Sequence, residues 1–391
     1  MQIPVKQLMR TDFNDWLQKR QSKLQVKAST VTRTGQILDW VPPESQSSNP
    51  VATPPPAQPG PAVLNDPNRP TASVTFDVGE SGPVGLVPIL RPDLSRVPDT
   101  TRLREFLSKP GGLRLSANKR KPADPDPAGY FHASTAEWTT SYGCDAWFNV
   151  WDPQINVPSS PGDDHSISQT WIQNHQTAQT QSLEVGLTVD VSLNGDSFNH
   201  LFTYYTTNGY ASDGENIGGY NRLDGGWFQF HPSIYPGIRI IGTSQQGATP
   251  QLEIGLKYQL YAGNWWLGIN NVESGPWIWL GYYPASLFNG GLSDQADWVS
   301  FGGEVYSGLA DACQTTDQMG SGRLANAGWS YASFQRNIRS QSNTNGAMSA
   351  FNGAPEVDAA SASCPTNQYS ISTFMNSGSI WGSYQHFGGQ S

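Results

Sequence analysis

Two carboxylates stand apart from the other acids by what surrounds them. Trp298-Val-Ser-Phe-Gly-Gly-Glu-Val-Tyr306 reads as a strand. Its alternation places Trp298, Ser300, Gly302, Glu304 and Tyr306 on one face. Ser182-Leu-Glu-Val-Gly-Leu-Thr-Val-Asp-Val191 repeats the arrangement, with Leu and Val on one side and Glu184 with Gly186 on the other. A single acid on a strand ordinarily meets solvent. These two sit mid-strand beside glycine and face away from the aliphatic side, so strands sharing a sheet would bring both acids over one substrate. Two carboxyl groups held close cannot both ionise cheaply, so one proton is retained. The ionised partner can then draw a proton from water while the protonated one hydrogen-bonds a carbonyl that gains charge. Such a pair predicts an acidic optimum, with the roles of base and acid left open between Glu184 and Glu304. Paired carboxylates over aromatic platforms also serve glycoside hydrolysis. The residues alone therefore leave open a peptidase, a carbohydrate-active enzyme and a carbohydrate-binding β-sandwich.

Other chemistries lack their motifs. There is no G-x-S-x-G nucleophile elbow, no H-E-x-x-H, no phosphate loop and no dinucleotide fingerprint. The six histidines, His132, His165, His175, His200, His231 and His386, show no ligand spacing and read as surface or strand-end residues; no metal and no cofactor is expected. Glu253 shares an alternating strand with Lys257 and reads as a solvated face. Gln169 and Gln173 fall on one strand face, where either could hold the water or the oxyanion, or simply meet solvent. Tyr205, Trp265, Trp266 and Trp298 are candidate walls for an extended peptide, with core packing as the alternative for each.

The elements that must position these residues are strands. The 391 residues hold 40 Gly and 14 Trp with only 14% charged side chains, which points to an all-β protein with an aromatic surface. From residue 131 to 307, and again at 379–387, apolar or alternating runs follow one another. Asn194-Gly195, Asn208-Gly209, Gly218-Gly219 and Asn289-Gly290-Gly291 separate them. Many strands with short gaps predict an antiparallel β-sandwich with a substrate groove. Residues 318–360, rich in Gly, Asn, Ser and Ala, read as a long loop region.

The first 127 residues have another texture. A loose helical pattern covers 3–26, with Thr11 or Asp12 as a candidate cap, and a hairpin turns at Thr34-Gly35. The proline-rich stretch 42–70 reads as an extended, weakly ordered connector. A helix is expected from Thr100 to Leu107 and an exposed linker or processing site at 117–127. The leader carries 17 Lys and Arg against 12 Asp and Glu, a net of +5, whereas residues 128–391 carry −14. A basic leader joined to an acidic domain suits an inhibitory pro-segment, or simply a basic linker. The division expected is 1–127 and 128–391. Overall acidity argues against nucleic-acid binding. No run approaches the ~20 apolar residues of a membrane span, and the first thirty residues show no apolar signal-peptide core. Three cysteines allow one disulfide at most; Cys313 with Cys364 is the expected pair, and three free thiols are the alternative.

Residues 128–391 resemble the neprosin family of peptidases. The resemblance rests on Ser166-Ile-Ser-Gln-Thr-Trp-Ile172, Gln181-Ser-Leu-Glu-Val-Gly-Leu187 and Leu201-Phe-Thr-Tyr-Tyr-Thr206. It continues through Gly263-Asn-Trp-Trp-Leu267, Gly281-Tyr-Tyr-Pro-Ala-Ser-Leu-Phe288, Phe301-Gly-Gly-Glu-Val305, Gln318-Met-Gly-Ser-Gly322 and Trp381-Gly-Ser-Tyr-Gln-His-Phe-Gly-Gly389. Thr30 to Trp40 is similar to the start of the family's activation region. The resemblance implies a glutamic endopeptidase whose catalytic pair maps onto Glu184 and Glu304. It also implies cleavage after proline, synthesis as a secreted zymogen, the pro-segment as intramolecular inhibitor, and a peptide or protein partner. The chain departs from the family at Leu187, where a Trp is common, and after Tyr210, where a Cys pair is missing; both bear on the proline preference.

Overall fold

The computed structural model describes residues 5–58, 66–94, 109, 129–155, 164–211, 216–271, 275–309, 311–344, 346–358, 364 and 367–390. The helix expected at 100–107 and the linker at 117–127 lie outside the described residues. Two antiparallel sheets form a sandwich. The first runs in the order Gly218–Tyr220, His200–Thr206, Gln181–Asp190, His165–Asn174, Ala296–Tyr306, Tyr130–Ser141, Ala354–Asp358. The second is built on Phe228–Gln229, Ile278–Pro284, Asn264–Asn270, Gln251–Tyr261, Gly143–Asn149, Ser333–Ser340, Tyr384–Gly389 and Tyr369–Phe374, in that order.

Alternation decides what lies between the sheets. Leu183, Val185, Leu187, Val299 and Phe301 point inward and meet Phe148, Ile254, Leu256, Tyr258, Leu267 and Ile269 in one continuous core. Burying this many large apolar side chains, each worth about 1.5–3 kcal/mol, fixes the register, because a one-residue slip would turn the glutamates into the core.

Several expectations need correction. The 318–360 stretch contains Ser333–Ser340, an interior strand of the second sheet. Its polar residues hid it from a hydrophobicity reading. They have partners, Arg336 and Gln335 buried and Arg339 half-buried: Arg336 Nε donates to Glu253 at 2.8 Å and Arg339 Nη2 to Asp145 at 2.7 Å, while Gln335 donates to Ser168, Gln169 and Gly302. Glu253 is thus half of a buried ion pair and not a solvated acid, and Lys257, four residues along the strand, is buried too. The leader helix spans Val5–Lys23, so Thr11 and Asp12 lie inside it and do not cap it.

The proline-rich segment is a strap pinned along the second sheet. Pro55 accepts from Trp279 Nε1 at 3.1 Å, Gln58 accepts from Lys257 Nζ at 2.7 Å, and Ala52 donates to the Tyr282 hydroxyl at 3.1 Å. Without backbone N–H groups to satisfy, prolines suit a strap laid across the outer face of a sheet, where it accepts bonds from the sheet's side chains. The hairpin Ala28–Val31 with Ile37–Val41 forms as expected and is extended by Val87–Leu90. Cys313 and Cys364 are joined in a disulfide with Cα atoms 5.0 Å apart, and Cys144 is a buried thiol. Among the described residues no helix is long and apolar enough to cross a membrane.

Candidate active site

Three adjacent strands of the first sheet make the floor. Gln169 lies opposite Gly302 on one side and Gly186 on the other. Glu304 is opposite Ile167, and Glu184 is opposite Trp171. The two acids therefore sit diagonally across the Gln169 strand, four residues apart along it, roughly 13 Å at an ordinary strand rise. They can meet only by leaning toward each other over Gln169. The glycines make that possible, since neither projects a side chain into the space beside Gln169. They also admit the neighbouring backbone closely: a Cβ on Gly186 would strike the Ser168 carbonyl, and one on Gly302 the Ala133 carbonyl.

A cation from the leader marks where the acids meet. The Lys109 ammonium stands 2.6 Å from Glu184 Oε2, 3.0 Å from Glu304 Oε2 and 3.3 Å from Gln169 Oε1. All three charged side chains are 0% exposed. Its Nζ is a compact tetrahedral donor shared by the two acids and the Gln169 side chain. The Trp171 ring lies 5.9 Å from the same nitrogen, within range of a cation–π contact.

Each acid has its own set of donors. Glu304 Oε1 accepts from His165 Nε2 at 3.0 Å; Oε2 accepts from His132 Nε2 at 3.1 Å and Gln169 Nε2 at 3.0 Å. Glu184 Oε1 accepts from the Tyr210 hydroxyl and from Ser182 Oγ at 3.2 Å. The Glu184 backbone is held from below, its carbonyl accepting from Thr203 Oγ1 at 3.0 Å and the Tyr258 hydroxyl at 3.3 Å. Burial pushes Glu304 up, but the Lys109 charge, then the hydrogen bonds of His132 and His165, carry its carboxyl well below the usual range. Burial likewise opposes the Lys109 ammonium, and the charges of Glu184 and Glu304 overcome it and raise the lysine.

The remaining expected site residues divide. Gln169 is in the centre. Gln173 is one step further out, its amide 3.4 Å from the Tyr210 hydroxyl and 3.5 Å from Ser182. Trp298 faces the site side and packs with Trp171 and Ala136. Tyr205 and Trp265 do not line the groove. Tyr205 is opposite Leu183, so it shares that residue's inward face and packs on Tyr283 at 4.9 Å; Trp265 is in the same core and donates to the Leu292 carbonyl at 2.7 Å. Trp266 is on the outer face of the other sheet, against Phe228, Trp279 and Tyr282, with Val51 and Ala52 of the strap over it.

His132, His165, Tyr210, Trp171 and Lys109 were not expected at the site. The histidines are buried and not superficial, a correction that only pairing explains. His132 lies directly opposite Glu304, and His165 two residues before the Ile167 that faces it. Their alternation with Ser134 and Gln169 in the sequence was the available signal.

The residue pattern of the neprosin family matches residues 162–390. The chain belongs to the neprosin family. Membership supports a peptidase-family assignment. The matched span includes Glu184, Glu304, Gln169 and His165, whereas Lys109 and His132 lie ahead of it. Among solved structures, the chain is similar to a functionally unknown protein from Saccharomyces cerevisiae at 12% identity. That match covers 51% of this chain and 74% of the other, with a TM-score of 0.23. It is also similar to a beta-porphyranase from the human gut bacterium Bacteroides plebeius at 8% identity, over 49% and 59% of the two chains, with a TM-score of 0.18. Neither likeness is strong enough to inform function.

Proposed function

We propose that this neprosin-family protein is a glutamic endopeptidase made as a zymogen, with Glu184 and Glu304 sharing one proton over a single water. The observation that carries the reading is the Lys109 ammonium bridging both carboxylates at 2.6 and 3.0 Å in a fully buried site. A pair of acids that grips one small donor suits general acid–base activation of a water against a peptide bond. That the donor comes from the leader supports the view that residues 1–127 act as an intramolecular inhibitor. Phe13 and Trp16 of the leader helix, with Leu94, pack against Ile167, Phe202, Tyr204 and Tyr210 on the same face of the sheet.

With Lys109 withdrawn, a water at the position of its nitrogen reaches both acids and the side-chain amide oxygen of Gln169. The ionised glutamate takes a proton from that water as its oxygen attacks the scissile carbon. The protonated glutamate donates to the carbonyl oxygen, which then carries charge in a site where electrostatic stabilisation is strong. Trp171 and Trp298 are fully buried and packed together on the site's face of the sheet; a ring face freed on opening would stack on a proline ring, in keeping with a preference for cleavage after proline. Secretion fits the family and the Cys313–Cys364 bond, which suits an oxidising compartment.

Acid-treated, trimmed protein incubated at about pH 3–5 with a proline-rich peptide is expected to release fragments. Chelators and serine-protease inhibitors should leave that release unchanged, and either Glu184→Gln or Glu304→Gln should abolish it. Release of sugar from a polysaccharide panel in place of peptide fragments would overturn the reading.

A further inference from the structure

Once the lysine is lifted away, the two acids are no longer equivalent. Glu304 keeps three N–H donors spread over both of its oxygens, from His165, His132 and Gln169. An ionised carboxylate is an acceptor only, so these contacts suit the charged form and leave little room for a proton. Glu184 keeps two hydroxyl donors, Tyr210 and Ser182, and both fall on Oε1. Among the described residues, the partner of its Oε2 is Lys109. Hydroxyls can turn to accept as readily as they donate, so Glu184 can carry a proton on the oxygen that the lysine vacates.

The imidazoles are themselves fixed. Tyr130 stacks on His132 with ring centroids 6.3 Å apart and meets His165 edge-on at 6.0 Å, Tyr306 flanks His165 at 5.6 Å, and Trp171 meets His132 at 5.9 Å. His165 Nδ1 faces Asp190 Oδ2 at 4.0 Å. Among the described residues, the charged and titratable groups around Glu304 include His132 from one neighbouring strand, His165 from the strand on its other side, Glu184 and Asp190 beyond that, Tyr130, Tyr210 and Tyr220, and Lys109 from the leader.

We propose that His132 and His165 are positioning residues that hold Glu304 as the general base, leaving Glu184 as the general acid of the pair. The inference rests on the peptidase reading. Glu304 takes the water proton as the C–O bond forms, and Glu184 protonates the carbonyl oxygen. On collapse the C–N bond breaks, Glu304 passes its proton to the departing amine, and Glu184 recovers one from the hydroxyl of the intermediate. Both acids end as they began.

The test is the pH profile of kcat/KM for trimmed protein carrying His132→Phe or His165→Phe, beside His165→Gln, whose amide N–H can replace the lost donor. Loss of one donor should move the acid limb upward by about one pH unit, with KM unchanged, and His165→Gln should bring the limb back toward the parent. A fall in rate at every pH with the limb unmoved would mean that the histidines serve only folding, and would overturn the proposal while leaving the peptidase reading intact.

A second measurement needs neither turnover nor a histidine variant. In full-length Lys109→Met protein labelled with 13C at glutamate carboxyls, the single acid left by Glu184→Gln should stay ionised to lower pH than the one left by Glu304→Gln. The reverse order would assign the roles the other way round. Absence of peptide cleavage by the parent would sink the peptidase reading, and this titration would still decide which of the two acids is held ionised.

Discussion

Replacing Lys109 by Met removes the charge and keeps most of the stem. The structure gives the size of the effect. The ammonium touches Glu184 at 2.6 Å and Glu304 at 3.0 Å, and none of the three groups has exposed surface. Breaking a buried ion pair by removing one partner costs about 3–5 kcal/mol, because the remaining charge is left uncompensated. Here that cost falls on the closed arrangement of leader and domain, so closure should weaken by roughly 10²- to 10⁴-fold at neutral pH.

The pH dependence has a definite sign. In the closed form Glu304 is depressed, so its contribution to closure is full above the open-state value and is lost as pH falls toward the closed-state value. Lys109 is raised, so its contribution persists through acid and is lost only on the alkaline side. Acid therefore opens the wild-type protein. Lys109→Met protein can take up a proton on the pair instead, so its defect should be largest near neutrality and shrink in acid.

The assay is hydrogen exchange of the leader across pH, read at times shorter than any self-trimming, in the Lys109→Met variant and its parent, paired with peptide turnover by both before any trimming. The leader of the Lys109→Met protein should become accessible at higher pH than that of the parent, and the untrimmed variant should show activity that the parent lacks. A variant as latent and as protected as its parent at every pH would refute the reasoning.

Other outcomes follow from the same contacts. Arg336→Met strands Glu253 in the interior and should cost about 3–5 kcal/mol of stability in denaturant unfolding. The double change with Glu253→Gln should restore part of it, since the uncompensated charge is gone. Reducing the Cys313–Cys364 bond, which closes a 51-residue separation, should cost about 4 kcal/mol by chain entropy, seen as a lower Tm under reductant. Gly186→Ala should impair turnover more than unfolding temperature, because the added methyl strikes the Ser168 carbonyl and shifts the Gln169 strand between the two acids; unchanged kcat would count against the role given to that glycine.

Both acids were legible because strand alternation is a local property, whereas the edge strands Gly218–Tyr220 and Ala354–Asp358 of their sheet were not, lying in stretches that read as a turn and a loop. Leu183, Val185 and Leu187 had to face one way, so Glu184 and Gly186 had to face the other, and the same logic fixed Glu304 beside Gly302 and Trp298. The Ser333–Ser340 strand was not legible, since Arg336, Arg339 and Gln335 look like loop residues until Glu253, Asp145 and the Gln169 backbone arrive to pair with them. Tyr205 and Trp265 show the opposite limit: an aromatic on a strand has the same local signature whether it lines a groove or fills a core.

The sequence by itself determined which side chains lie on which face of each strand, and that two glutamates lie away from the aliphatic side. Tertiary structure alone decided which strands are neighbours. Only that pairing sets His132 across from Glu304, leans the two acids over Gln169, and carries Lys109 from a segment 75 residues upstream of Glu184 into the gap between them. Nothing in a strand's own residues encodes its partner's register. Partnership is settled by the burial of all the inward faces at once.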